Sequence, residues 1–377
     1  PWFGSVCGVE VACFTHLWGT SLTTSKFLRS WKLPSAVCSG LAENDMSIPV
    51  RVGVIGCGRI SSRYFRQLSL YENVEVVACA DLDYERARTS AELFGIHNAY
   101  GVDDLLGDDD VDLVLNLTVP QAHTEVSLAA INAGKHIYSE KPLGIDRADG
   151  AAIVQAAADR TVMAACAPDT FLGAGIQTSR KLLDAGIIGE PFAAAAYFVE
   201  SGHEHSHPSP GFFYLRGGGP VLDMGPYYLT ALVVLLGPIA RVSSFAKRTY
   251  EVRTSCNHPG LSFPVEVPTH VVGALQFRGG ATASTMMSFD VWASETPRIE
   301  IYGTEGTISV PDPNTFNGPV RVKIGNGVWK EVPMEFAEGG RGLGVAEMAY
   351  AIQHGIPSRI DASLANHILD AMVALHE

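Results

Sequence analysis

Arg51-Val52-Gly53-Val54-Ile55-Gly56-Cys57-Gly58-Arg59-Ile60-Ser61 is the stretch whose reading decides the fold. A short apolar run ends in a glycine turn, and a helical pattern follows to about residue 70. In that setting Gly56 permits the tight turn and Gly58 lets the backbone approach a pyrophosphate. The helix N-terminus then supplies amide donors and partial positive charge. Ser61 holds the third small position, where Gly or Ala is usual. The next apolar run, Val74-Glu75-Val76-Val77-Ala78-Cys79-Ala80, ends at Asp81. A carboxylate there accepts hydrogen bonds from ribose hydroxyls and repels a 2′-phosphate, so the pattern favours NAD over NADP. Arg59 and Arg86 work against that preference.

Outward from the turn, strands and helices alternate. Helical patterns over about 84–94, 122–133 and from Asp146 onward separate strands at 111–116, 136–138 and 161–165, with Gly134 stopping the second helix. This spacing predicts βαβ units and a parallel sheet. After about residue 167 the character changes. A helix over about 171–185 leads to strand-like segments near 191–200, 239–250, 268–278, 280–289, 297–303 and 319–324. Strands without intervening helices predict an open, mostly antiparallel sheet, and two helices near 343–354 and 361–376 finish the chain. The expected class is α/β: a Rossmann domain over 48–167 and an α+β domain over 168–377 for substrate binding and oligomerisation. Residues 1–47 fall outside the pattern. Met46 is read as the native start, which makes them a non-native or loosely ordered extension.

Composition narrows the function. The chain has 377 residues, 47% of them apolar, and a net charge of −13. That length predicts two domains with large cores. The acidic balance, with no basic cluster, argues against nucleic acid and against an anionic membrane surface. No run of eighteen consecutive apolar residues occurs. Seven cysteines without metal spacing suit a reducing compartment, so the cytoplasm is expected.

The candidate chemistry lies at the carboxyl ends of the parallel strands. Asn116 and Thr118 leave the 111–116 strand where they can hydrogen-bond a cofactor, and Pro120 shapes the turn. His123 is read as a cofactor contact or, preferably, a packing residue at a helix start. Glu140-Lys141-Pro142 follows the next strand. There the Lys141 ammonium can hydrogen-bond a substrate hydroxyl while Glu140 orients it; the bland alternative is a surface ion pair. His203-Glu204-His205-Ser206-His207 invites a metal reading. The segment precedes Pro208 and Pro210, however, and lacks a completing Cys or Asp, so no metal is expected. His203 and His207 are read instead as substrate contacts in an overhanging loop. Asp169 and Thr170 are candidate substrate contacts near the start of the second domain's first helix, with plain helix capping as the alternative.

The chain resembles the Gfo/Idh/MocA oxidoreductases (glucose–fructose oxidoreductase, inositol dehydrogenase, rhizopine catabolism) from about Val50 to the C-terminus. The resemblance rests on Val54-Ile55-Gly56-Cys57-Gly58-Arg59-Ile60, Ala133-Gly134-Lys135-His136, Glu140-Lys141-Pro142 and Gly217-Gly218-Gly219-Pro220-Val221-Leu222-Asp223-Met224-Gly225. It implies NAD(P)-dependent oxidation or reduction of sugars and cyclitols, with Arg59 and Ile60 in the cofactor turn and Lys141 at the reacting carbon. The family pattern continues Asp-x-Gly-x-His, whereas this chain reads Asp223-Met224-Gly225-Pro226-Tyr227. Tyr227 therefore stands where an acid/base histidine is usual. A nearby ammonium stabilises a phenolate, so a Lys141–Tyr227 pair is expected to relay the proton while Asp223 positions it. Pro226 raises the alternative of a broken helix, and Tyr228 that of being the residue that faces the site.

The function expected is NAD-dependent hydride transfer to or from a hydroxyl of a sugar, sugar derivative or cyclitol, by a homodimer or homotetramer. Two alternatives stand beside it: a redox-neutral NAD-dependent glycosidase or lyase, and a non-catalytic NAD-binding sensor.

Overall fold

The computed structural model describes residues 48–258, 260–336 and 339–377, together with the backbone of a two-residue strand, β1 (Val9–Glu10). Apart from that dipeptide, the expectation for 1–47 lies outside the described residues. The described chain divides into two compact units. One holds residues 48–172 together with Gly339–Leu369; the other holds β1 and the residues from Gly173 to Glu338 with Asp370–Glu377.

The first unit contains a six-stranded sheet of β2 (Val50–Ile55), β3 (Val74–Ala80), β4 (Asn98–Tyr100), β5 (Leu113–Asn116), β6 (His136–Ser139) and β7 (Ala164–Cys166). All pairings are parallel and the order is β4-β3-β2-β5-β6-β7. This is the doubly wound arrangement, whose order reverses between β2 and β5; ligands bind such sheets outside the carboxyl ends at that point. The strands read as continuous apolar runs because both faces are covered: all four residues of β5 are buried. The crossover helices are α1 (Ser61–Leu68), α2 (Tyr84–Phe94), α3 (Val102–Gly107), α4 (His123–Asn132) and α5 (Arg147–Arg160). Asp146 caps α5 reciprocally with Asp149, each side chain accepting from the other's amide.

The second unit carries α6 (Ala174–Asp184) and α7 (Gly219–Leu236) against a nine-stranded sheet. Its members are β1, β8 (Pro191–Val199), β9 (Ile239–Lys247), β12 (His270–Phe277), β13 (Thr282–Ser288), β14 (Ile299–Gly303), β15 (Gly306–Val310), β16 (Val320–Ile324) and β17 (Lys330–Val332). They lie in the order β1-β9-β12-β13-β8-β14-β15-β16-β17. Every pairing is antiparallel except β13 with β8. Strands β10 (Val252–Thr254) and β11 (Ser262–Pro264) form a separate hairpin. β12 alternates strictly between buried and accessible residues, as a sheet with one covered face requires. α7 is long and apolar enough to cross a membrane, but 94% of it is buried in the protein, as in the core helix of a globular domain.

The C-terminal region departs from the expected division. Residues 168–377 were read as one domain, yet Gly339–Leu369 cluster with the parallel sheet. The reason is physical: α8 (Leu343–His354) buries Val345, Met348 and Ala349 and packs on α1, β2 and β3. The last helix, α9 (Ala362–His376), contains the division, which falls after Leu369. Further, the helix expected over 171–185 begins as a 3-10 turn, Thr170–Leu172, before α6 proper. Strands β4 and β17, three residues each, are too short for a periodicity to declare them.

Candidate active site

In the first unit, the glycine turn closes over the sheet's reversal point. Gly56 has φ +101°, and a Cβ there would sit 2.8 Å from the carbonyl carbon and oxygen of Leu117, which follows β5. Only glycine fits a left-handed residue pressed so closely on backbone. Gly58 is different, for a Cβ there would meet nothing within 4 Å. No side chain caps α1, whose Ser61 and Arg63 amides bond to the carbonyls of Gly58 and Ile60. An open glycine beside an uncapped helix N-terminus fits a dinucleotide pyrophosphate. Arg59 and Ile60 lie between them, Arg59 exposed and Ile60 at the N-cap.

Asp81 does structural work at the end of β3. Its Oδ2 accepts the Cys57 amide at 2.8 Å and its Oδ1 accepts the Asp83 amide at 3.0 Å. Arg86 lies 3.5 Å from the same carboxylate. The acidic residue thus pins the glycine turn to the end of β3.

At the end of β5 the candidate polar residues bond chiefly to one another. Asn116 is fully buried; its amide nitrogen donates to the His123 carbonyl and Ser127 Oγ, and its Oδ1 accepts from Thr118 Oγ1 at 2.7 Å. His123 is a packing residue: it is 1% exposed, with Nδ1 2.6 Å from the Pro142 carbonyl and Nε2 3.1 Å from that of Thr118. Burial pushes its pKa down, while the two carbonyl contacts work in the opposite direction. Pro120 opens the 3-10 turn that leads into α4. These contacts tie the turn after β5 to the loop after β6.

That loop carries Lys141, half-buried, at the carboxyl end of the sheet. The Glu140 amide donates to the Asn116 carbonyl at 2.8 Å, which extends the β5–β6 ladder by one rung. The Glu140 carboxylate accepts from Tyr64 Oη at 2.7 Å and from the Lys141 amide at 3.0 Å. Burial, then the Glu140 charge, drives the Tyr64 phenol well above its ordinary pKa, so Tyr64 stays protonated as the donor. Glu140 therefore orients the backbone of Lys141. Tyr64 is a site-supporting residue that the sequence reading missed; only its amphipathic position in α1 marked it.

Asp169 and Thr170 lie elsewhere than expected. Both are buried to 1% exposure or less, and Asp169 Oδ2 accepts the amides of Gly342 and Gly344 at 2.8 and 3.2 Å, capping α8. Burial raises the Asp169 pKa, with the Arg341 charge opposing. The polyol contact expected of Asp169 is replaced by this cap on a helix distant in sequence.

In the second unit, α7 runs unbroken through Pro226, so Asp223 and Tyr227 share a face. Asp223 is also the one residue of the helix that is not buried. Tyr227 is 5% exposed. Tyr228 is fully buried, with Phe198 edge-on and Arg298 3.4 Å from its hydroxyl, and burial pushes its pKa up.

The loop histidines take separate partners. His203 Nε2 lies 2.9 Å from Asp223 Oδ2, and its ring stacks on Phe213 with centroids 3.9 Å apart. His205 Nδ1 meets Cys256 Sγ at 3.1 Å, while His207 packs against Phe212 and Phe213. Between them Glu204 turns inward, bonded to the Arg253 guanidinium and the Tyr214 hydroxyl. Arg253 also pairs with Asp290, whose other oxygen accepts from Thr269 Oγ1 at 2.7 Å. This buried network anchors the loop, and nothing in the sequence pattern around Arg253 signalled it.

Comparison with known proteins agrees with this geometry. The model of the oxidoreductase family with an NAD-binding Rossmann fold matches residues 50–167, and the Gfo/Idh/MocA C-terminal domain model matches 176–309. Among relatives, the trans-1,2-dihydrobenzene-1,2-diol dehydrogenase of Bos taurus is 28% identical over 295 residues, 77% of this chain and 82% of its own. The inositol 2-dehydrogenase 3 of Saccharopolyspora erythraea is 28% identical over 334 residues, 87% and 93% of the two chains. Among solved structures, an NAD binding oxidoreductase from Klebsiella pneumoniae aligns with TM-score 0.76 at 23% identity, over 87% of this chain and 96% of that one. At that identity the likeness speaks to the fold. With both domain models matched in order, the chain belongs to the Gfo/Idh/MocA oxidoreductases and is an NAD-dependent dehydrogenase or reductase.

Proposed function

We propose that the protein interconverts a secondary hydroxyl and a carbonyl on a sugar, sugar derivative or cyclitol. The observation that carries this reading is Lys141, half-buried at the carboxyl end of β6, on a backbone fixed by Glu140, two strands from the glycine turn. An ammonium held there can donate to the substrate oxygen and stabilise the negative charge that develops as hydride leaves the carbon. The nicotinamide, when bound, takes up or delivers that hydride. Asp223 and Tyr227, one helical turn apart on α7, are the proposed substrate-side residues of the second unit, with His203 and His207 lining the loop before it. Relatives named myo-inositol 2-dehydrogenase and 1,5-anhydro-D-fructose reductase support the substrate class.

The test follows NADH absorbance across aldoses, inositols and 1,5-anhydro sugars, for wild type beside Lys141→Ala. A substrate-dependent rise that the variant lowers by about 10²–10⁴-fold is the expected result. NAD binding without any rise would instead favour redox-neutral cleavage or a sensor.

The assembly we propose is a homodimer or homotetramer joined through the open face of the nine-stranded sheet. Phe245 and Val272 support it: they are cross-strand partners on β9 and β12, 80% and 39% exposed. Phe245→Glu is expected to lower the mass measured by light scattering, and an unchanged mass would place the interface elsewhere. A cytoplasmic location is proposed from the free thiols of Cys57, Cys79, Cys166 and Cys256.

A further inference from the structure

We infer that Cys57 and Cys79 form a reversible redox pair beneath the glycine turn, and that joining them as a disulfide weakens coenzyme binding. Both belong to the first unit. Cys57 stands between the two glycines of the turn, and Cys79 is the penultimate residue of β3. β2 and β3 run in parallel register there, with Val54 opposite Cys79 and Ile55 opposite Ala80. The chain turns over the strand end at Gly56, whose amide donates to the Ala80 carbonyl at 2.8 Å. The Cys57 side chain therefore returns towards β3. Its Sγ lies 3.6 Å from the Ala80 carbonyl, and Cys79 Sγ lies 3.4 Å from that of Ala87 on α2. The two thiols hydrogen-bond each other, and the Ser90 hydroxyl of α2 also bonds to Cys57. Cys166 and Cys256, by contrast, bond to backbone carbonyls and to His205.

Their surroundings give the two sulfurs different parts. The hydrogen bond from Cys79 holds the Cys57 thiol below its ordinary pKa, with Ser90 and Arg86 adding to it against burial and the Asp81 charge. The same bond, then burial, raises Cys79. The thiolate is the reactive form, so Cys57 attacks and Cys79 resolves. Access runs the same way: Cys57 is 6% exposed beside the open Gly58, whereas Cys79 is fully buried. A disulfide brings the sulfurs to about 2.05 Å, well inside any hydrogen-bonded separation. Gly56 cannot follow that movement, because it is pressed on the Leu117 backbone. The displacement falls on Cys57 and Gly58, and on the 2.8 Å bond from the Cys57 amide to Asp81. That is the stretch whose open side fits the pyrophosphate.

The oxidant is a peroxide, and the step balances with hydrogen peroxide as its simplest case. Cys57 Sγ attacks one peroxide oxygen, an S–O bond forms and the O–O bond breaks. The departing hydroxide takes the thiol proton and leaves as water, so Cys57 becomes a sulfenic acid. Cys79 Sγ then attacks Cys57 Sγ, the S–S bond forms and the S–O bond breaks. The electron pair leaves with the hydroxyl group, which takes the Cys79 proton as a second water. The two thiols lose two electrons and the peroxide gains them. A dithiol reverses the change by thiol–disulfide exchange.

The pair acts on coenzyme binding alone, so it stands whichever substrate the protein turns over. The test treats cofactor-free protein with hydrogen peroxide and follows NADH affinity by fluorescence titration before and after. Peptide mapping is expected to find a Cys57–Cys79 link, two hydrogens lighter than the separate peptides. The Kd for NADH is expected to rise about 10- to 100-fold, as for losing one hydrogen bond to a charged group, and dithiothreitol to restore it. Cys79→Ala is expected to bind NADH like reduced wild type and to keep that affinity after the same treatment. No Cys57–Cys79 link in a sample whose exposed Cys256 is oxidised overturns the inference. So does a link that leaves the Kd unchanged, or a Cys79→Ala protein that loses affinity on oxidation as wild type does. The link and its reversal are read on wild type, so they decide the matter even where Cys79→Ala folds poorly.

Discussion

The two glycines of the turn make different demands, and alanine at each separates folding from cofactor binding. At Gly56 a Cβ would lie 2.8 Å from the Leu117 carbonyl group, on a residue with φ +101°. The left-handed conformation alone costs an alanine about 1–2 kcal/mol. Relieving a contact with backbone rather than a flexible side chain adds to that, so Gly56→Ala is expected to lose roughly 2–4 kcal/mol of stability. At Gly58 nothing lies within 4 Å, so the fold has no objection to a methyl group. Less freedom in the unfolded chain even favours Gly58→Ala by about 0.4–1 kcal/mol. Its cost falls on the coenzyme, because the methyl group occupies the space through which backbone amides reach the pyrophosphate. Losing one or two hydrogen bonds to a charged group costs about 2–4 kcal/mol, or roughly 30- to 700-fold in Kd. Urea unfolding of the cofactor-free proteins and NADH fluorescence titration give the two numbers separately. Gly58→Ala that binds NADH like wild type, or unfolds as readily as Gly56→Ala, would refute the assignment of this turn to the pyrophosphate.

Two further perturbations test the supports around the site. Tyr64→Phe removes the buried donor to Glu140 and is expected to cost about 1.5–3 kcal/mol, since the bond lost is to a carboxylate; urea unfolding within 0.5 kcal/mol of wild type would show that the contact is idle. His376 tests the pH dependence. Burial lowers its pKa from 6.5 to about 4, and its Nε2 is buried without a partner. A depressed folded pKa means that the unfolded chain takes up the proton first as pH falls. The stability is therefore fully present above about pH 6.5 and is lost towards pH 4. Between pH 7 and 5 this one group is expected to withdraw about 2 kcal/mol. His376→Gln, which cannot titrate, should lose correspondingly less, and parallel pH profiles for the two proteins would sink the prediction.

What the sequence made legible, and what it hid, follow from the range of the interactions. Residues 51–61 and the strand ending at Asp81 are readable because their chemistry is local. An apolar run, two glycines and a helix start follow one another in the chain, and the structure builds β2, the turn and α1 from them directly. The strands of the second unit are readable where they alternate over seven or eight residues, as in β12 and β13. The attachment of Gly339–Leu369 to the parallel sheet is not local. It depends on Val345 and Met348 finding β2 and β3, and on an Asp169 carboxylate meeting amides 173 and 175 residues away. No periodicity records such a partner. Asp169 and Asp223 are both acidic residues beside proline- and glycine-rich segments, yet one caps a buried helix and the other holds an accessible imidazole. What separates them is burial, which is a property of the packed unit.

The same distinction explains why Glu140 and Lys141 stand side by side. Read as a dipeptide, they are an acid placed to orient an adjacent ammonium. In the folded unit the carboxylate is satisfied by Tyr64 Oη and by the amide of Lys141. Glu140 thus fixes where the chain turns out of β6, and the lysine side chain leaves from a backbone that cannot drift. Asp223 works by the same logic in the other unit: its carboxylate meets His203 Nε2 at 2.9 Å and holds the ring in place. In each unit a carboxylate positions its neighbour. A substitution that keeps charge but loses geometry, such as Glu140→Asp, should therefore weaken turnover while leaving NADH affinity nearly intact. Shortening the side chain by one methylene withdraws it from Tyr64 and the Lys141 amide without touching the glycine turn.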